Sequence, residues 1–258
     1  MKKNTLLQYI FLVFMLGAQG CRCGEGNTKT PDHTPNNNQP SNTWDLSGNI
    51  YKANVKINEK DDWLTALGIN KHGDDTVVVN ASNESIKGGG GGLNGALYDW
   101  VDAQGVSPFH NPEPTLPDGT DAPNTLPAGK FALFKVSFGY IYLAVGPRAM
   151  QTESLKKTKE LIANLYYDIL SKANKDKMKC VVLCAISTAI FADAGKETDT
   201  GKDFTKAGFI ANAFEGFKQG IAKFQQENPK HALKIILNKW DEEKFGKEVV
   251  DQVKPLTK

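Results

Sequence analysis

One stretch of this chain constrains its fold more than any other. Thr76-Val77-Val78-Val79 is a short β-branched run of the kind buried on both faces of a sheet. It leads through Asn80-Ala81-Ser82-Asn83 to five consecutive glycines, Gly88–Gly92. Asn94-Gly95-Ala96-Leu97-Tyr98-Asp99-Trp100-Val101 then reads as a helix start. A flexible linker does not usually join a core strand to a core helix. Glycines at such a junction adopt positive φ and let backbone N–H groups approach an anion. The helix N-terminus adds partial positive charge. Together they favour a diphosphate. The run is not a Walker A loop, because no Gly-Lys-Ser/Thr closes it. Nor is it a Rossmann turn, because no acidic residue stands at the next strand end.

The rest of the body alternates in the same way. Tyr51–Ile57, Phe131–Val136, Tyr140–Val145, Val181–Ile186 and Ala232–Leu237 read as strands, with Gly139 between the second and third. Thr152 is the expected cap of a helix whose Leu155, Leu161, Ile162, Leu165, Ile169 and Leu170 share a face. A second helix carries Ala207, Ile210, Phe214, Phe217, Ile221 and Phe224, and Asn228-Pro229 ends it. Both stripes read as core. Strands separated by such helices predict a mainly parallel sheet covered on both faces, with ligands bound beyond the carboxyl ends of the strands. Residues 101–130 break the pattern as a long Pro-rich loop. Its Asp118-Gly119-Thr120-Asp121 lacks the acidic spacing of a calcium loop and reads as a solvated turn.

The N-terminus follows other rules. Lys2 and Lys3 precede an apolar run, Leu6–Leu16, that is too short to span a bilayer, so residues 1–20 read as an export signal. Leu16-Gly17-Ala18-Gln19-Gly20-Cys21 resembles a bacterial lipobox, which makes Cys21 the expected lipidation site and membrane anchor. Residues 21–48 are rich in Asn, Pro, Thr and Gly and read as a flexible tether, leaving 49–258 as one domain. The expected location is the bacterial cell envelope, on its periplasmic or outer face. The formal charge of +2 belongs to Lys2 and Lys3, so the body is neutral and no nucleic-acid partner is expected. Cys180 and Cys184 would share a strand face about 13 Å apart, too far for a disulfide, and read as core thiols. His33, His72, His110 and His231 show no ligand spacing, and no metal site is expected.

Val79-Asn80-Ala81-Ser82-Asn83, the glycines and Gly95-Ala96-Leu97 resemble the VNAAN…GGGGVDGAI signature of macro domains, the ADP-ribose-binding modules, in its MacroD-like form. Ala144-Val145-Gly146-Pro147 is similar to the family's VGP motif. Ala185-Ile186-Ser187-Thr188-Ala189-Ile190-Phe191 is similar to its second phosphate loop, AISTGIF. The resemblance covers roughly residues 49–245, with the motifs in the family's order. It implies a three-layer α/β/α sandwich with a mixed, mainly parallel central sheet. It also implies a ligand, ADP-ribose or an ADP-ribosylated protein, and no cofactor. Gly88, Gly89, Gly90, Gly91, Gly92 and Leu93 would wrap the diphosphate from one side, and Ser187, Thr188, Ala189, Ile190 and Phe191 from the other. Phe191 would pack beside the distal ribose. Asn83 would hydrogen-bond that ribose, with Asn80 beside it in the signature. Asp62, next to Trp63, would accept from the adenine amino group.

The departures from the pattern bear on activity. Asn94 stands where hydrolytic members carry an Asp, and an amide cannot take a proton from water. The run has one glycine more than usual. Ala189 replaces the second loop's Gly, which predicts crowding or a restricted backbone there. Leu143 replaces a common His. No His stands where it would make Ser187 a nucleophile. Three readings stay open: an ADP-ribose-binding module, an ADP-ribosylhydrolase acting through Asn83 and Asn94, and a macro-like scaffold that has lost its nucleotide.

Overall fold

The computed structural model describes residues 49–53, 62–86, 92–103, 113–238 and 254–255, all within the larger of two units, Thr43–Lys258. Residues 1–48, which hold the expected export signal, Cys21 and the expected tether, lie outside the described residues, as do Gly88–Gly91 of the glycine run.

The β-branched runs form a central sheet. Its strands are β1 (Ile50–Ala53), β2 (Thr76–Ser82), β3 (Lys130–Val136), β4 (Gly139–Val145), β5 (Cys180–Leu183), β8 (Lys234–Asn238) and β9 (Lys254–Pro255), ordered β3-β4-β2-β5-β8-β1-β9. β3 runs antiparallel to β4, and the other pairs are parallel. The short strands β6 (Gly195–Lys196) and β7 (Asp203–Phe204) pair in a separate hairpin. β2 and β5 lie inside the sheet and are almost wholly buried, which explains their lack of polar alternation.

Alternate side chains feed two cores. On one face Val78, Ile141, Leu143 and Ile236 pack under α1 (Asp62–Ala66) and α2 (Gly92–Ala103). On the other, Val77, Val79, Tyr142, Leu183 and Ile235 pack under α3 (Leu155–Lys175) and α4 (Lys206–Glu227). The expected three layers and mixed, mainly parallel sheet are therefore present. Among the described residues no helix is long and apolar enough to cross a membrane.

Several local expectations shift. Ser154, not Thr152, caps α3, its hydroxyl accepting from Lys157 N–H. Thr152 instead closes a 3-10 turn, Ala149–Gln151, inserted ahead of the helix. In α4 the buried stripe is Phe209, Ala213, Gly216, Phe217, Gly220, Ile221 and Phe224, so Ala207, Ile210 and Phe214 sit at or beyond its edge. Gly216 and Gly220 cause the rotation. A Cβ on Gly216 would come within 2.5 Å of Lys159 O, and one on Gly220 within 2.4 Å of Ala163 O, so α3 approaches at backbone distance. β5 ends at Leu183, and Cys184 turns into the α3/α4 core while Cys180 faces the α1/α2 core. The two thiols are buried and form no disulfide with each other, and they do not share a face. Burial pushes the Cys180 thiol up to about 12, which leaves it inert.

In the described part of the Pro-rich segment, which begins at residue 113, Thr115 lies at the outer edge of β3 and exchanges both backbone hydrogen bonds with Leu133 at 2.9 and 2.7 Å. Leu116, Pro123 and Leu126 line an apolar groove between this segment and α3. Asp118 accepts from Thr120 N–H and Oγ1 in a solvent-exposed turn.

Candidate functional site

The carboxyl ends of β4, β2 and β5 are neighbours in the sheet, and the segments leaving them converge. From β2 come Asn83 and Glu84, followed by Ser85 and Ile86. From β4 come Gly146, Pro147 and Arg148. From β5 comes Ser187–Phe191. The N-terminus of α2 opens beside the β2 turn, and its first N–H groups have no intrahelical acceptor.

Asn80 and Ser82 point from β2 toward α2. The Asn80 amide donates to Asn94 Oδ1 at 2.7 Å and lies 3.3 Å from Ser82 Oγ, and both Asn80 and Ser82 are fully enclosed. Asn80 Oδ1 has no hydrogen-bond partner among the described residues. Asn94 is likewise buried, at 9% exposure, with its amide turned onto Asn80. Asn80 therefore fixes the first turn of α2. Asn83 lies at the surface of the turn, where its Oδ1 accepts from Ser85 N–H at 3.1 Å and from Ser85 Oγ at 2.6 Å. This holds the Asn83 side chain in one orientation.

The turn ends on Ile86, a β-branched residue at φ +47°. Such a backbone is costly without support. Two contacts hold it. The Ile86 side chain is buried in the α1/α2 core, and Tyr98 OH donates to Ile86 O at 2.7 Å. Burial, with the Asp102 charge, pushes the Tyr98 phenol well above its ordinary value, so it remains a donor. Gly92, the one described glycine of the run, opens α2 at φ +69°. Leu93 is half-buried against both cores. Gly88, Gly89, Gly90 and Gly91 are outside the described residues, and so is the Asp62 side chain, whose residue opens α1. Trp63 is in the core at 1% exposure, edge-on to Trp100 and Phe138, with no ring surface left for a ligand.

The second loop is anchored from below. Tyr166 of α3 donates to Cys184 O at 2.5 Å and accepts from Ile186 N–H at 3.0 Å. Ser187 then takes φ +64° and is 4% exposed, its hydroxyl without a hydrogen-bond partner among the described residues. Gly146 makes room for it, since a Cβ there would lie 2.1 Å from Ser187 Oγ. The motif glycine is thus a close-approach glycine. Thr188 Oγ1 donates to Ala185 O at 3.1 Å. Ala189 is exposed and is not among the positive-φ residues, so the strain expected at its methyl falls on Ser187 instead. Ile190 is turned to solvent at 83% exposure, and Phe191 is half-buried.

Two charged residues missed by the sequence reading stand between the loops. Arg148 Nε donates to Glu84 Oε1 at 2.6 Å, and a second guanidinium N–H pairs with Glu84 Oε2. The guanidinium carbon lies 4.4 Å from the Phe191 ring centre. Burial alone would raise the Glu84 carboxyl. The Arg148 bonds and charge, with a backbone N–H, outweigh it and hold the carboxyl below its ordinary range. Arg148 directly follows the VGP motif and is one of only two arginines in the chain, which was the available signal. Among the described residues no group of three or more His, Cys, Asp or Glu side chains could hold a metal ion. The site offers backbone N–H groups, one bound guanidinium and amide side chains, a set suited to holding an anion.

Comparison with known proteins agrees with this architecture. The Macro domain family model matches residues 124–197. A Trypanosoma brucei macrodomain solved in complex with ADP-ribose is 19% identical at a TM-score of 0.51, over 80% of this chain and 73% of that one. A T. brucei macrodomain in complex with ADP is 18% identical at a TM-score of 0.50, over 79% of this chain and 66% of that one. No curated protein matches.

Proposed function

We propose that this chain, which has the macro-domain fold, is a binding module for ADP-ribose or for molecules that carry it. The observation that carries the reading is that the segments leaving the adjacent carboxyl ends of β4, β2 and β5 meet, Glu84 bonding Arg148 and Arg148 lying against Phe191. There the α2 N-terminus, the Ser187–Phe191 loop and Asn83 stand together. The T. brucei macrodomain of the same fold was solved with ADP-ribose. In this reading the α2 N-terminus and the second loop hold the diphosphate through backbone N–H groups. Asn83, oriented through its Oδ1 by Ser85, offers its amide N–H to a ribose hydroxyl.

Binding is favoured over hydrolysis by Asn94. Its amide is buried and engaged by Asn80, and it has no basicity with which to activate water. Catalysis through Asn83 and Asn94 is the alternative. A domain that has lost its nucleotide is the remaining one.

We further place the module at the bacterial cell envelope, exported by residues 1–20 and anchored by lipid on Cys21. The support is the sequence of that segment alone. ADP-ribosylated proteins or free ADP-ribose at that surface are the proposed partners.

The test is ligand-dependent melting. ADP-ribose at about a hundred times Kd should stabilise the fold by roughly 2.7 kcal/mol, while AMP, which lacks the diphosphate and distal ribose, should do far less. Equal shifts with both ligands would refute a diphosphate cleft.

A further inference from the structure

The Glu84–Arg148–Phe191 contact joins all three segments that build the cleft. Glu84 belongs to the β2 turn, Arg148 to the segment after β4, and Phe191 to the loop after β5. The chain has 31 basic side chains, of which two, Arg22 and Arg148, are arginine. The one at this junction meets two demands at once. Its edge is bidentate on a carboxylate and its face lies on an aromatic ring. A lysine ammonium, a point charge without a plane, cannot do both.

Stability does not explain the arrangement. The Arg148 and Glu84 side chains are 37% and 31% exposed, and ion pairs this open to water add little to folding. The backbone of Phe191 is fixed separately, by Ala149 N–H donating to Phe191 O at 2.9 Å. The ring is only half-buried, and its neighbour Ile190 points to solvent, so little else on the loop's tip orients it.

We propose that Arg148 is a positioning residue for ligand. Clamped flat by Glu84, it holds the Phe191 ring as one wall of the ADP-ribose cleft. This rests on the reading of the cleft given above. Arg148 acts through the ring: Glu84 holds its Nε and one Nη, and this sets the guanidinium plane against Phe191.

The test uses the full chain with nitrogen-15 arginine and a double-mutant cycle. Two arginines give two Nε–H signals. The Arg148 signal should move in both Glu84→Gln and Phe191→Leu, without ligand. In calorimetry with ADP-ribose, Arg148→Lys should weaken binding about tenfold with Phe191 present and less than about twofold in the Phe191→Leu background. Equal losses in both backgrounds would overturn positioning through the ring, and so would an unchanged affinity in Arg148→Lys. If Arg148→Lys fails to fold, Glu84→Gln, which keeps the guanidinium, takes its place in the cycle. If the unaltered chain binds no ADP-ribose, the reading of the cleft fails. The labelled arginine then still decides the clasp: a signal unmoved by Phe191→Leu overturns it, and one that moves supports it.

Discussion

Replacing Tyr166 by Phe isolates the anchor of the second loop. The ring would keep its edge-on contact with Phe217, whose centre lies 4.8 Å away, so no cavity of side-chain size opens. Only the hydroxyl is lost. With it go the bond to Cys184 O at 2.5 Å and the bond from Ile186 N–H at 3.0 Å. Cys184 and Ile186 are both 2% exposed, so water cannot replace the hydroxyl unless the loop opens. Each buried hydrogen bond lost here costs about 1–3 kcal/mol, and the two together imply about 3 kcal/mol. For a domain of this size that is a fall of roughly 6–12 °C in Tm. Calorimetric melting measures it directly. Affinity for ADP-ribose should fall as well, because the loop that starts at Cys184 loses its fixed root. A Tm within about 2 °C of the unaltered chain, with affinity unchanged, would show that Tyr166 does not hold this loop.

Other outcomes follow from the same geometry. Gly216→Ala would drive a methyl to 2.5 Å from Lys159 O and part α3 from α4. Overpacking of about 1–3 kcal/mol exceeds the helix-propensity gain of about 0.8–1 kcal/mol, so a net loss is expected in denaturant melts. Glu84 is held below its ordinary pKa, so its share of stability is present above about pH 4.5 and lost as pH falls through the lowered value. The Tm difference between the unaltered chain and Glu84→Gln should therefore be constant near neutrality and vanish in acid; a difference that grows in acid would reverse the sign. Cys21→Ser should abolish incorporation of labelled palmitate and release the protein from membranes, and unchanged labelling would refute the anchor.

Much of this fold is written in local pattern. The β-branched runs and the helix stripes are periodic, so the sheet and both cores could be read from them. What escaped depends on partners distant in sequence. Gly216 and Gly220 look neutral in isolation, yet their contact with α3 sets the rotation of α4. Thr152 and Ser154 are both plausible caps, and only the 3-10 turn between them decides. Trp63 adjoins the expected adenine contact, but Trp100 and Phe138 draw it into the core. Arg148 meets Glu84 across 64 residues, a separation with no periodicity to reveal it. At the site, the glycine run and the second loop were legible as motifs. The Glu84–Arg148–Phe191 clasp and the Tyr166 anchor were not, because each is made by a single side chain from another element.

The central claim is that the converging strand ends hold ADP-ribose. Isothermal titration of ADP-ribose into the full chain tests it most directly, with Asn83→Ala beside it. The account predicts saturable one-to-one binding, weakened at least about tenfold by Asn83→Ala in a protein that still melts cooperatively. A folded protein that gives no heat at roughly millimolar ADP-ribose would contradict it, and so would binding that ignores Asn83.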